Sequence, residues 1–189
     1  MPRRVARSFT TEASRERDAS LLGTAYHEAG HAVVSLYLGL PIYEVTIVKQ
    51  GDANGSVTHP SPLMLDLGWA VGRERRKAAR QMILGCYAGL HAERLLACDA
   101  PGFHGAADDE NAFDLSREYR VTPRHCGFIG DEYHAAYLER LRKESGRLVR
   151  ALRVPIEKLA KELMRRKTVR HEDVEKVIGA YLPHRWAGR

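Results

Sequence analysis

At 189 residues, 44% hydrophobic and 29% charged, the chain is long and apolar enough for one buried core, which excludes a disordered segment. Thirty Lys+Arg against 24 Asp+Glu leave a net charge of +6, which permits an anionic partner without demanding one. The longest nearly apolar stretch, Ala32 to Ile42, is about half of the roughly 20 residues a bilayer span needs, and no apolar run follows the Arg-rich N-terminus. Neither a transmembrane helix nor a secretory signal is therefore expected. Cys86, Cys98 and Cys126 form no CxxC pair, which fits inert thiols in a reducing cytoplasm.

Residues 1–17 are polar and Arg-rich and are expected to form a flexible basic tail. From Leu21 the pattern turns helical, with Leu22, Ala25, Tyr26, Ala29, Ala32, Val33 and Leu36 recurring at offsets of three and four. Gly39 and Pro41 should end that helix. Ile42 to Val48 is β-branched and aromatic, residues 51–55 are dense in turn formers, and Ser56 to His59 can return as a second strand, giving a hairpin. Trp69 to about Ala97 reads as a long helical segment with a break near Gly85 or Gly89. Further helices are expected over about Ala107–Tyr119, Asp131–Leu152, from Pro155 onward with Ile156, Leu159, Ala160 and Leu163 as its apolar stripe, and over Thr168–Tyr181. The expected fold is mainly α: one helical domain over residues 18–183 with a small β-hairpin after its first helix, then a short tail, 184–189.

His27-Glu28-Ala29-Gly30-His31 is an HExxH motif inside the first helix. Residues i and i+4 share a helical face, with Cβ atoms ~5–6 Å apart, so two imidazoles can bind one zinc ion from the same side. Glu28 lies one residue beyond the first of them, placed to take a proton from a zinc-activated water and return it to a leaving amine. By composition alone the pentapeptide would arise by accident in about 3% of such chains, so its surroundings matter.

Those surroundings resemble the proteolytic domain of FtsH-type zinc peptidases. The stretch from Thr24 to Val34 is similar to that family's zinc helix. VTIVKQGDANGSVTH resembles the strand, turn and strand that follow it. CYAGLHAERLL, GAADDENAFDLSREY and IEKLAKELMRRKTVRHEDVEKVI resemble three later helical segments, all in order. The resemblance implies a metalloendopeptidase with a Zn2+ cofactor held by His27, His31 and an aspartate. Aligning the family's GASND pattern puts that aspartate on Asp109. Asp108, one residue away, and Glu93, on a downstream helix, stand as rivals for the third ligand. Glu28 would be the general base.

Departures from the family bear on partners. No GxxxxGK[ST] phosphate loop occurs, so the unfolding of polypeptide substrates would fall to a separate ATPase. Leu90 replaces an arginine of the family pattern, which puts inherited oligomer contacts in doubt while leaving a homo-oligomer open. Basic clusters at Arg73–Lys77, Arg140–Arg153 and Arg165–Lys167 are interleaved with acids and lack stacking aromatics, which reads as a solvated face rather than a nucleic-acid surface. His59, His104, His125 and His134 show no ligand spacing and are expected on the surface or in loops. Two other functions stand beside the peptidase: a non-catalytic adaptor on the same fold, and a basic regulatory protein with a structural zinc.

Overall fold

The computed structural model describes residues 12–51, 54–59, 72–96, 105–119 and 131–182. Its elements are α1 (Glu12–Tyr37), β1 (Glu44–Thr46), β2 (Ser56–Thr58), α2 (Arg73–Cys86), α3 (Ala88–Glu93) with a 3-10 turn over Arg94–Leu96, α4 (Gly105–Glu118), α5 (Asp131–Ala151), α6 (Arg153–Arg166), β3 (Thr168–Arg170) and α7 (His171–Ile178) followed by a second 3-10 turn. The mainly helical reading with a small hairpin matches the structure. Trp69, Cys98, His104, Pro123, His125 and Cys126 lie outside the described residues.

Helix α1 begins at Glu12, ahead of Leu21 and inside the stretch expected as a tail. It ends where Gly39 takes a φ of 82°. There Leu40 N–H donates to the Ser35 carbonyl at 2.8 Å and Gly39 N–H to Leu36 at 3.0 Å, the paired bonds that close a helix through a left-handed residue. The expected break between α2 and α3 falls at Tyr87, between the two glycines the sequence marks.

The last helix starts later than its pattern suggests. Thr168–Arg170 is a strand, and the hairpin is one part of a three-stranded antiparallel sheet ordered β2-β1-β3. Two local causes act together. Lys167 adopts a φ of 69° and its N–H closes α6 on the Leu163 carbonyl at 2.7 Å. Beyond it the β-branched pair Thr168-Val169 suits a pleated position, with Val169 fully buried against Val45.

Helix α1 crosses α3 and α6 at the centre of the domain. Gly30 makes the first crossing possible, because a Cβ there would lie 2.5 Å from Ala92 Cβ and 2.8 Å from the Ala88 carbonyl oxygen. Around it Ala25, Ala29, Val33, Val45, Ile156, Leu159, Leu163, Val174 and Ile178 form one core. A second cluster, with Ala79, Ile83, Leu84, Tyr87, Ala112 and Leu141, joins α2, α4 and α5. The two cores leave the histidine face of α1 between α3, α4 and β2.

Candidate metal centre

Both HExxH imidazoles are held from behind. His27 Nδ1 meets Glu93 Oε1 at 2.5 Å, and His31 Nδ1 meets the Gly85 carbonyl at 2.8 Å. A carbonyl and a carboxylate only accept, so each Nδ1 carries a proton, and in the neutral ring each Nε2 presents a lone pair. Those two Nε2 atoms face each other at 2.8 Å. Asp108 Oδ2 lies 3.2 Å from the first and 3.5 Å from the second. All three side chains are at most 15% exposed. Among the described residues this is the one group of His, Cys, Asp and Glu arranged to hold a metal ion.

Converging lone pairs and a buried carboxylate call for positive charge at their focus. Burial disfavours charge on His27, yet Asp108 and Glu93 outweigh it and raise the imidazole to about 9. Burial would likewise raise Asp108, but the two imidazoles override it and hold the acid at about 2. A proton or a cation satisfies the cluster; two neutral imidazoles alone do not. Asp108 Oδ2 and Glu28 Oε2 are buried with no hydrogen-bond donor among the described residues, which is the condition a bound cation and its water would relieve. Two nitrogens and one oxygen are the donor set of a catalytic zinc site with a position open.

The structure gives the two candidate aspartates different surroundings. Asp108 faces the histidines, whereas Asp109 is paired with Arg142 of α5. Neighbours on a helix diverge by about 100°, so α4 can aim one of the two at α1 and not both. Glu93, the other candidate, bonds the far nitrogen of His27.

Glu28 is 5% exposed. Burial raises its carboxyl above the ordinary range, and the imidazoles of His31 and His27 pull it partly back. Glycines let neighbouring elements close on these groups. A Cβ at Gly55, just before β2, would lie 2.7 Å from Glu28 Oε1, and one at Gly89 would lie 2.5 Å from His31 Nε2 and 2.7 Å from His27 Nε2. Sequence reasoning marked both glycines as turn or break signals and missed this close approach, which only the packing reveals.

Other candidates fall elsewhere. His59 Nδ1–H donates to the Pro41 carbonyl at 3.1 Å, and His134 contacts Ser116 while stacking on Phe113. Burial pushes the Cys86 thiol up to about 12, in keeping with an inert cysteine.

No family model matches the chain. The chain is 28% identical over 187 residues to "ATP-dependent zinc metalloprotease FTSH 9, chloroplastic/mitochondrial" of Oryza sativa subsp. japonica, a match covering 85% of this chain and 22% of that protein. It is 26% identical to "Mitochondrial inner membrane i-AAA protease supercomplex subunit YME1" of Saccharomyces cerevisiae, over 85% of this chain and 24% of that protein. A shorter match, 38% over 104 residues, reaches "ATP-dependent zinc metalloprotease FtsH" of Neorickettsia risticii, covering 53% of this chain and 15% of the relative. The chain thus spans less than a quarter of the length of the first two relatives, and no helix among its described residues is long and apolar enough to cross a membrane. Its sequence relationship to the FtsH and YME1 zinc metalloproteases is distant but extends over most of its length, and it supports a protease-like function.

Proposed function

We propose that the chain is a zinc-dependent endopeptidase acting on extended polypeptide, with zinc held by His27, His31 and Asp108. The observation that carries this reading is the meeting of two Nε2 atoms at 2.8 Å beside a buried carboxylate. When bound, zinc supplies Lewis acidity, which makes water acidic near neutral pH and polarises a carbonyl. The protein's own residues do the rest. Glu93 and the Gly85 carbonyl fix both imidazole tautomers, so neither ring can turn its lone pair away. Glu28 Oε2 takes a proton from the attacking water and delivers it to the leaving amine.

Substrate orientation falls to the sheet. Among the described residues β2 lies at its edge, with Gly55 just before it close to Glu28, and an extended peptide can add to such an edge by main-chain hydrogen bonds. A folded protein, stable by ~5–15 kcal/mol, seldom offers an extended segment of that kind. The substrates are accordingly unfolded chains, or chains delivered by a separate ATPase.

The test is cleavage of casein with and without a chelator, beside Glu28→Gln and zinc analysis of the purified protein. Chelator-sensitive cleavage that Glu28→Gln abolishes is expected. Cleavage indifferent to both, or a protein that takes up no zinc, would end this reading.

A further inference from the structure

We infer that Arg142 is a positioning residue: through Asp109 it sets the roll of α4 that presents Asp108 to the two histidines. The inference rests on the zinc reading above and concerns a residue on an element that contributes no ligand.

Four contacts carry it. The Arg142 guanidinium bonds Asp109 Oδ1. The same guanidinium lies over the Tyr87 ring, 5.1 Å from its centroid, at the corner between α2 and α3. Its backbone carbonyl accepts a hydrogen bond from His91 Nε2–H of α3 at 2.9 Å. Gly146, one turn on, gives the imidazole room, since a Cβ there would lie 3.0 Å from His91 Cε1. Arg142 is thus fixed at backbone and side chain to the corner that also carries Gly85, the residue behind His31.

Helix α4 needs such a reference. It packs on α2 and α5 through Ala112 and Leu115, with Ser116 against His134 in its second half and Tyr119 under Arg75 just after it; the Arg142–Asp109 pair adds a polar contact in its first half, where the aspartates lie. Adjacent aspartates make the setting of that half consequential. A roll of about 100° would exchange Asp108 for Asp109 at the histidines. A fork-shaped guanidinium bonded to Asp109 opposes the exchange by giving the competing carboxylate another partner. The ion pair is a third to nearly half exposed, so its own contribution to stability is small and its effect lies in direction.

The experiment measures zinc affinity by competition with a chromogenic chelator, on the full chain and on Arg142→Met, Asp109→Asn, their double variant and Asp108→Asn. Circular dichroism verifies that each is folded, and the visible spectrum of the cobalt(II)-loaded forms reports the ligand field. Arg142→Met and Asp109→Asn should each weaken zinc binding by roughly 10- to 100-fold and alter the cobalt spectrum. The double variant should be no worse than either single one, because both remove the same link. Arg142→Lys should restore part of the loss, keeping charge without the fork. Wild-type affinity and spectrum in folded Arg142→Met, or additive losses in the double variant, would overturn the inference. If Asp108→Asn abolishes zinc binding while Arg142→Met does not, the positioning role alone fails; if the parent chain binds no zinc, the metal reading itself fails.

Discussion

Gly89→Ala tests the metal centre with a single methyl group. The added carbon would sit 2.5 Å from His31 Nε2 and 2.7 Å from His27 Nε2 and Cε1, about 1 Å inside ordinary contact. Neither ring can retreat freely, because Glu93 and the Gly85 carbonyl hold the opposite nitrogens at 2.5 and 2.8 Å. Overpacking of this kind costs ~1–3 kcal/mol, and alanine recovers up to ~1 kcal/mol of helix propensity over glycine. The net change in stability should be about 0–2 kcal/mol, which a folded domain survives. Zinc is less forgiving, since its ligand distances tolerate only about ±0.2 Å. Affinity should fall by at least ~100-fold while the far-ultraviolet spectrum is retained. Gly23→Ala is the control: it lies in α1 with open space around its Cα, and should keep zinc binding while adding up to ~1 kcal/mol of stability. The assays are chelator competition for affinity and thermal melting of the metal-free proteins for stability. Wild-type zinc affinity in Gly89→Ala would refute the geometry on which the site rests.

Other expectations are open to equally direct measurement. Glu28→Gln should retain zinc and fold yet lose casein cleavage by at least ~100-fold, because an amide cannot accept the proton; wild-type turnover would remove Glu28 from the base role. Gly55→Ala places a Cβ 2.7 Å from Glu28 Oε1 and 2.8 Å from the Thr46 carbonyl oxygen, so activity should fall while zinc content stays at the parent level; full activity would show that the hairpin does not hold Glu28. In a variant keeping Cys86 alone, the thiol raised to about 12 should resist alkylation at pH 8 until denaturant is added, and rapid labelling of the folded protein would contradict its burial. Leu159→Ala, fully buried where α6 meets α1, should cost ~2–5 kcal/mol by denaturant titration; a change below ~1 kcal/mol would place the core elsewhere.

What could be read from the sequence was set by how locally each feature is determined. The i, i+4 spacing of His27 and His31 is a property of any helix, so their pairing was legible without a fold. The end of α1 at Gly39 was legible for the same reason. The different surroundings of Asp108 and Asp109 were not, because a guanidinium 33 residues further along the chain bonds one of them. Glu93 was legible as a carboxylate near the site, while its place behind His27 follows from the α1–α3 crossing that Gly30 and Ala92 allow. β3 escaped notice because three residues are too few to show alternation, and the helical period of Val174, Val177 and Ile178 begins just beyond them.

That strand has a consequence in time. A two-stranded hairpin is marginal in water, and β1 gains its second partner from a segment whose Thr168 hydroxyl meets that of Thr46 across 122 residues. The sheet beside Glu28 is therefore completed by a segment made long after β1 and β2. At translation speeds of ~5–20 residues per second, both histidines and Asp108 exist for several seconds before residues 168–170 emerge. During that interval the nascent chain carries His27, His31 and Asp108 but lacks the third strand of the sheet beside them.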